Sequence, residues 1–376
     1  MTNRFTAGLP QILERCQPLP VGFIPDSDCA PLVYAHESGL FQRYELDVEL
    51  KRETRWATIR DKVTYEELAA AHAPATLPFI TNLELEAGQC PSVSGLVLSL
   101  QGNAITLSRS LWNEGVRDAQ SLRDLVYRDW GRRTYTFAVV FPHSPQYFLL
   151  RQWFKAGGIV PHNEVRIIVL PPMQMFPTLK LGYIDGYCSG DPWTSLAADA
   201  QAGVCVATSA DLSPLHPEKV LMVRRDFAEE RGTEHERLIA ALIEACAFCD
   251  RAENRTLLSE ILAQPRYINA PPECLDGSLL KAPDEELTSG AGRNPSIFFR
   301  HNANEPTERK AAWVMGQLHE LMAQNVLKLP PAMRVPALNN VFLPDIFQRA
   351  KTAALNQMEA LKREADRYEA KLKEPA

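Results

Sequence analysis

The feature that most constrains the fold of this 376-residue chain is an alternation of short apolar runs with helical patterns. Nine runs have the length and composition of buried strands: VGFIP (21–25), DVELKR (47–52), LVLSL (96–100), ITLS (105–108), TFAVVF (136–141), VRIIVL (165–170), YIDGYC (183–188), VCVAT (204–208) and VLMVRR (220–225). Helical spacing occurs at 30–38, 59–71, 121–130, 145–156, 173–181 and 193–202. This alternation is typical of βαβ units, so the sequence predicts an α/β protein with largely parallel sheets.

The length and the charge of the chain narrow the class further. At about 150 residues per domain, the length predicts about two domains, with a core large enough to need no disulfide bonds or structural metal ions. The composition, 45% hydrophobic with 40 basic against 46 acidic residues and a net charge of −6, excludes a collagen, a disordered chain and a small disulfide scaffold. Because phosphate binding needs clustered cations, we also expect no direct nucleic-acid partner.

The N-terminal sequence and the cysteines predict a cytoplasmic chain. Residues 1–20 hold no apolar core of the kind a signal peptide needs, since Arg4, Glu14 and Arg15 interrupt them. No apolar run is long enough to span a membrane. The eight cysteines are scattered, which indicates reduced thiols. The one close pair, Cys246 and Cys249, lies on a helical pattern and is interpreted as core thiols, with redox or metal chemistry as the alternative.

The C-terminal third holds a long loop and a terminal helix. Residues 270–307 are rich in Pro, Asn, Gly and charge, and a helix is expected to begin near Arg309. A second helical pattern covers 343–373 and becomes almost wholly charged beyond Leu361. This last helix is interpreted as solvated, or alternatively as a docking element for a partner.

Several motifs of established chemistry are absent from the sequence. It holds no GxxxxGK[ST] loop, no GxGxxG after a strand, no GxSxG and no HExxH, so neither nucleotide binding nor hydrolysis is indicated. No histidines are paired at helical spacing, and we therefore predict no metal and no cofactor.

Polar residues at predicted strand ends are the candidates for a ligand site, because ligands bind there in α/β sheets. Each has a structural alternative. Trp56 is either a packing residue or a wall of the site. His72 and His143 lie beside proline turns and are either surface or capping residues, or ligands. Asp191 could cap a helix, and Trp193 could belong to the core.

Taken together, the motifs resemble one known family. They are VGFIPDSDCAPLVYAHESGLF, RWATIRDKV, GNAITLS, FPHSPQYFLLRQWFKAGGI, GDPW, HPEKVL and FLPDIF. They are similar to the nitrate-binding branch of the periplasmic-binding-protein superfamily over roughly residues 20–350. The resemblance implies a two-lobe α/β fold of type II with a ligand cleft and C-terminal helices. The implied units are 20–103 with 216–342, 104–215, and a helical extension 343–376, with crossovers at 102–108 and 204–223.

The resemblance also implies the site residues. Trp56 matches a tryptophan beside nitrate, and Asn103 falls where relatives have a glutamine donor. His143 matches a nitrate-contacting histidine, and Gly190 matches a cleft glycine. A lysine near the second crossover has His216 or Lys219 as its substitutes. The full candidate set for ligand binding is Trp56, His72, Asn103, His143, Gly190, Asp191, Trp193, His216 and Lys219.

Within this family, the N-terminus indicates the branch. Importer subunits are exported, whereas cytoplasmic nitrate and nitrite sensors of the NasS type bind a NasT-type RNA-binding antiterminator and release it when the anion is present. The resemblance therefore implies a sensor rather than an enzyme, with nitrate or nitrite and the antiterminator as partners. The alternatives are a solute-binding subunit of a nitrate or bicarbonate importer and a thiamine-pyrimidine-synthase-like enzyme, whose cysteine-rich motif this sequence lacks.

Overall fold

Two separate β-sheets organise the chain in the computed structural model, which describes residues 18–83, 90–161, 163–279, 296–327 and 340–372. The strands are β1 Leu19–Phe23, β2 Val48–Arg52, β3 Ala70–Pro74, β4 Ser92–Val93, β5 Val97–Leu100, β6 Asn103–Ser108, β7 Tyr135–Val139, β8 Val165–Val169, β9 Gly186–Gly190, β10 Gly203–Thr208 and β11 Pro217–Arg224. The first sheet has the order β2-β1-β3-β11-β4, and β5 also pairs with β11. The second sheet has the order β10-β6-β9-β7-β8.

Helices cover both sheets, and several begin at residues suited to capping. Ser144 accepts a hydrogen bond from Tyr147 N just before Pro145, the first residue of α7. The helices are α1 Ala30–Glu37, α2 Leu40–Arg43, α3 Trp56–Thr64, α4 Leu77–Leu83, α5 Arg109–Asn113, α6 Ala119–Arg128, α7 Pro145–Ala156, α8 Met175–Lys180, α9 Trp193–Asp199, α10 Ser209–Leu212, α11 Arg225–Glu230, α12 Gly232–Cys249, α13 Arg255–Leu262, α14 Pro272–Leu279, α15 Glu308–Ala323 and α16 Pro344–Leu372.

The α/β class is confirmed, but both sheets are mixed rather than largely parallel. β1 runs parallel to β2 and β3, and β7 runs parallel to β8 and β9. In contrast, β11 is antiparallel to β3 and β5, and β6 is antiparallel to β9 and β10. Strands β6 and β11 each enter their sheet directly from the other sheet, without a long crossover helix. The parallel direction that a βαβ unit imposes therefore does not apply to them.

Two elements differ from the sequence prediction. β3 lies partly where a helix was predicted over 59–71, because all five of its residues, AAHAP, are buried between β1 and β11 and show no alternation. The helix ends at Thr64, and Glu66 follows with a left-handed φ of 66°. Helix α14 occupies part of the predicted loop 270–307, of which 280–295 lie outside the described residues.

Three groups of buried apolar residues form the core. One packs helices α1, α12, α13 and α16 on the first sheet, and Cys246 and Cys249 of α12 are buried in it as predicted. A second surrounds α6, α7 and α15 beside the second sheet. The third joins the two sheets, because it contains Trp56 and Ile59 from one and Ala138 and Trp193 from the other.

The packing of α15 differs from the domain division expected from the sequence, which placed 216–342 with the first sheet. The Trp313 indole nitrogen donates to Ser213 Oγ at 2.8 Å, and the Trp313 ring lies 6.3 Å from the ring of Phe148 in α7. Val314 and Leu318 belong to the core group of the second sheet. The domain boundaries themselves remain a prediction.

The chain crosses between the sheets at two adjacent places. The first is Gln101–Gly102, where both residues have positive φ values of 50° and 98°. The second is 213–216, between α10 and β11. The crossings are hydrogen-bonded to each other, because Gln101 N donates to His216 O and Leu215 N donates to Gln101 Oε1, both at 3.1 Å. This paired crossing brings polar residues of both sheets together.

Candidate functional site

Six polar side chains from both sheets meet beside the paired crossing, and we call them the buried polar cluster. Its members are Asp28, His72, Asn103, Gln146, Glu218 and Lys219, each at most 5% exposed. The first sheet supplies His72 on β3 and the pair Glu218–Lys219 on β11, and the second sheet supplies Asn103 on β6 and Gln146 on α7. Burying so many polar groups is costly unless they satisfy one another or a ligand.

Lys219 lies between two carboxylates. Its Nζ donates to Asp28 Oδ2 at 2.5 Å and to Glu218 Oε1 at 2.7 Å. Burial lowers the pKa of Lys219, but the charges of Asp28 and Glu218 outweigh burial and hold it above the usual range. Burial likewise raises the pKa of Asp28, but Lys219 and His72, whose Nε2 lies 3.0 Å from Asp28 Oδ1, hold it below its usual range. Lys219 is therefore a permanent buried cation.

Gln146 connects the second sheet to this ion network. Its Nε2 donates to Asn103 Oδ1 at 3.0 Å and to Glu218 Oε1 at 2.8 Å. The other Glu218 oxygen, Oε2, lies 3.1 Å from His216 Nε2, and His216 Nδ1 lies 2.8 Å from Ser213 O. Glu218 thus contacts the Lys219 cation, an amide and an imidazole at once.

Trp56 forms an aromatic wall of the cluster. It is fully buried as the first residue of α3, and its ring centroid lies 5.5 Å from both the Lys219 Nζ and the His72 ring. Its indole nitrogen has no hydrogen-bond partner within the described part of the chain. Other buried polar atoms without a partner in the described residues include Thr76 Oγ1, Ser99 Oγ, Gln146 Oε1 and Ser189 Oγ. Unsatisfied buried groups of this kind are expected where a small polar ligand completes the hydrogen bonds.

A second set of contacts, the closure contact, holds the two sheets together next to the cluster. The Trp193 indole nitrogen donates to Asp26 Oδ1 at 2.6 Å, and Ser27 N donates to Asp191 O at 2.9 Å. Burial, and then the charge of Asp28, raise the pKa of Asp26 to about 7. Asp191 Oδ1 also accepts from Ser195 N, in the first turn of α9, at 3.0 Å.

Most of the candidates from the sequence lie at these two places. Trp56, His72, Asn103 and Lys219 belong to the cluster or to its wall, and His216 contacts it through Glu218. Gly190, Asp191 and Trp193 lie at or beside the closure contact. A Cβ on Gly190 would lie at an ordinary contact distance of 3.6 Å from Asn103 Oδ1, so Gly190 lies next to the cluster.

His143 lies elsewhere. It is half-buried with a left-handed φ of 59°, and its ring centroid lies 5.6 Å from that of Tyr147. It lines a separate cavity of about 450 Å³ with Tyr147, Asn325 and Val326. Burial and then the charge of Arg151 lower the pKa of His143. From the same motif, it is Gln146 that reaches the cluster.

Sequence reasoning missed the acidic half of the site and its amide: Asp26, Asp28, Gln146 and Glu218. A signal was present for three of them. Asp26 and Asp28 directly follow β1 at the sheet edge, and Glu218 is a charged residue inside an apolar strand, where an unpaired charge would be costly. Gln146 carries no such signal, because its role depends on how α7 is oriented.

The described residues hold no helix long and apolar enough to cross a membrane. They also hold no group of three or more His, Cys, Asp or Glu side chains placed to bind a metal ion.

Two mixed α/β sheets, joined by a paired crossing and enclosing a buried polar site, define a solute-binding protein fold of the periplasmic type. The crystal structure of the periplasmic nitrate-binding protein NrtA from Synechocystis PCC 6803 is similar, with a TM-score of 0.79 and 25% identity over 89% of this chain and 88% of that one. The fold predicted from the sequence is therefore confirmed.

The model of the NMT1-like family matches residues 14–263, and the chain belongs to this family. It is 37% identical to the bicarbonate transport ATP-binding protein CmpC of Synechococcus elongatus over 80% of this chain and 44% of that protein. It is 35% identical to the nitrate import ATP-binding protein NrtC of Synechocystis over 88% and 49%. The chain thus spans about half the length of these two relatives. NrtA is named as a binding protein, in agreement with the prediction that this chain is not an enzyme.

Proposed function

We propose that this chain binds a small planar oxyanion, nitrate or nitrite, in the buried polar cluster. The observation that carries the proposal is the permanent cation Lys219 facing the ring of Trp56 between the two sheets. Nitrate accepts hydrogen bonds in its plane, so ammonium, amide and indole N–H donors suit it, and an aromatic face can stack on it. The names of NrtA and NrtC support nitrate.

Bicarbonate is the second candidate ligand. Unlike nitrate, it carries an O–H donor, and the unpaired Gln146 Oε1 is an acceptor for such a group. The name of CmpC supports this choice.

Calorimetric titration with nitrate, nitrite and bicarbonate tests the ligand. Trp56→Phe replaces the indole by a smaller aromatic ring that has no N–H donor, and we expect about three- to tenfold weaker binding, the value of one hydrogen bond. Trp130→Phe is the matched control, since Trp130 is 57% exposed. If His143 contacts the anion, as the sequence predicts, His143→Ala should weaken binding. If His143 lies outside the cluster, as in the structure, this variant should bind like the wild type. Absence of binding by all three anions, or equal binding by Trp56→Phe, would contradict the proposal.

We further propose that the chain is a cytoplasmic sensor that binds an RNA-binding antiterminator of the NasT type and releases it when the anion binds. The closure contact supports this role, because a ligand that favours closure weakens any partner that prefers the open form. The seven described cysteines are free thiols, as expected in a reducing compartment. An importer's solute-binding subunit is the alternative function, supported by the names of the relatives.

Gel filtration of the chain with the antiterminator, with and without nitrate, tests the sensor role. Reversing the complex from about 99:1 to 1:99 requires a differential affinity of about 10⁴. Removal of the residues after Leu361 tests docking by the terminal helix, because it keeps the buried contacts of Ile346 and Phe347, which removal of everything after Leu343 would destroy. A complex that is unchanged at saturating nitrate and nitrite would exclude the sensor role.

A further inference from the structure

Glu218 occupies the donors that an external oxyanion would need. A single oxygen, Oε1, accepts from Lys219 Nζ at 2.7 Å and from Gln146 Nε2 at 2.8 Å. A carboxylate is planar and negatively charged and accepts hydrogen bonds in its plane, as nitrate and bicarbonate do. Glu218 is completely buried, so water does not screen it from these donors. The site already contains an anion that belongs to the protein.

The other oxygen of Glu218 shares a proton with His216. Ser213 O can only accept a hydrogen bond, so His216 Nδ1, 2.8 Å away, must carry a proton. A neutral His216 then presents the lone pair of Nε2 to Glu218 Oε2 at 3.1 Å. Two lone pairs at this distance repel each other, so the contact requires one more proton, either on Nε2 or on Oε2. Glu218 and His216 therefore hold a proton between them.

The presence of this proton determines whether His216 or Lys219 binds Glu218 more strongly. When His216 carries both protons it is a cation and holds Glu218 through Oε2, so that Oε1 can leave Lys219 and Gln146. When the proton is lost, Lys219 is the stronger partner and keeps the carboxylate. An added anion would then have to enter a cluster in which Asp28 and Glu218 already outnumber Lys219.

Asp28 also accepts from Lys219, through Oδ2, but it does not contact Gln146, and the other titratable groups around the cluster bind neither donor. The imidazole of His72 contacts Asp28, and the carboxyl of Asp26 accepts from Trp193. The thiol of Cys188 is buried on β9, and burial and then the charge of Glu218 raise its pKa well above the usual value, so it stays neutral. Glu218 is the one member of the cluster that holds both Lys219 and Gln146.

We propose that Glu218 is an internal anion that competes with the external oxyanion for Lys219 and Gln146, and that the proton shared with His216 decides this competition. The inference rests on the proposed function, because the competition concerns the same site. It assigns Glu218 as the residue that sets anion affinity and makes binding pH-dependent.

Nitrate titrations between pH 6 and pH 9 test this proposal, because nitrate keeps its charge throughout this range. For the wild type we expect the association constant to fall as pH rises, by up to tenfold per pH unit, with uptake of up to one proton per nitrate. Calorimetry in two buffers of different ionisation enthalpy counts that proton and needs no variant. Glu218→Gln keeps the shape of the side chain and removes its charge. At pH 8 it should bind nitrate at least tenfold more tightly than the wild type, with little dependence on pH.

Glu53→Gln is the matched control, since Glu53 is a carboxylate outside the cluster that pairs with Lys62 at 2.7 Å. It should titrate like the wild type. A wild type that binds nitrate without proton uptake, with an affinity that is flat in pH, would overturn this inference and leave the proposed function standing. Binding by Glu218→Gln alone would support it. Binding by neither protein, with nitrate or nitrite, would overturn both.

Discussion

At the scale of single residues, the site is unusual in the number of charges buried around one lysine. Lys219 contacts Asp28 and Glu218, and His72 and His216 each contact one of these carboxylates. Removing one partner from such a network leaves an uncompensated buried charge, which is strongly destabilising. Isosteric neutral variants are therefore better probes of this site than alanine variants.

Asp26 provides a stability test at this scale. Because burial raises the pKa of Asp26 to about 7, the folded protein keeps a proton that the unfolded chain loses above the ordinary aspartate pKa of 3.8. The contribution of Asp26 to stability therefore falls as pH rises between these two values and stays low above pH 7. Asp26→Asn keeps an acceptor for Trp193 and removes the charge. We expect its free energy of unfolding at pH 8 to exceed that of the wild type by about 1–3 kcal/mol.

Urea denaturation at pH 4 and pH 8 measures this difference, which should be close to zero at pH 4. Asp61→Asn serves as a control, because Asp61 is 52% exposed and pairs with its neighbour Arg60. A variant less stable than the wild type at pH 8 would contradict the expected sign.

The sequence predicts some of these residues better than others for a physical reason. Trp56 and Lys219 lie next to a helix and a strand that the apolar pattern predicts, and the structure brings them together. His143 and Gln146 lie three residues apart on one loop and helix start. Which of them enters the cluster depends on the left-handed turn at His143 and on the rotation of α7, and neither is encoded in residue type alone.

At the scale of elements, the terminal helix α16 divides into two parts. Four of its apolar residues are buried against the first sheet and α12: Ile346, Phe347, Ala350 and Ala354. Leu355, by contrast, is 46% exposed. The first half of α16 is therefore part of the core, whichever role the charged second half has.

Phe347→Ala tests this assignment. Truncating a buried phenylalanine costs about 3–5 kcal/mol, and we expect a loss of this size in the free energy of unfolding measured in urea. Leu355→Ala on the same helix should change it little, because its side chain is already in contact with water. Equal losses in the two variants would show that α16 is not docked as described.

The apolar pattern predicts the presence of most strands, but it says little about their ends and their direction in the sheet. The strand-like runs correctly predict nine of the eleven strands in the described part of the chain, with ends shifted by up to three residues. β3 was missed because its small residues are buried on both sides, and β4 has only two residues. The antiparallel direction of β6 and β11 follows from their entry at the paired crossing, which is a property of the chain path and not of either strand.

At the scale of the whole molecule, the paired crossing and the closure contact are two separate connections between the sheets. Gln101 ties the two crossing segments together, and Trp193 and Asp26 join the sheets beside the cluster. The third core group adds apolar contacts across the same boundary. Under the proposed function, entry of an anion requires the closure contact to open while the paired crossing persists.

The hydrogen bond from Trp193 to Asp26 also makes Trp193 a fluorescence probe of this opening. The emission wavelength of an indole depends on the water around it, and Trp193 is only 7% exposed while its nitrogen is bound across the boundary. Separation of the sheets would wet this ring and shift its emission to the red, and Trp193→Phe would remove that part of the signal. The protein thus carries its own fluorescent reporter of whether its two halves are apart, and its opening can be followed in real time without attaching a dye.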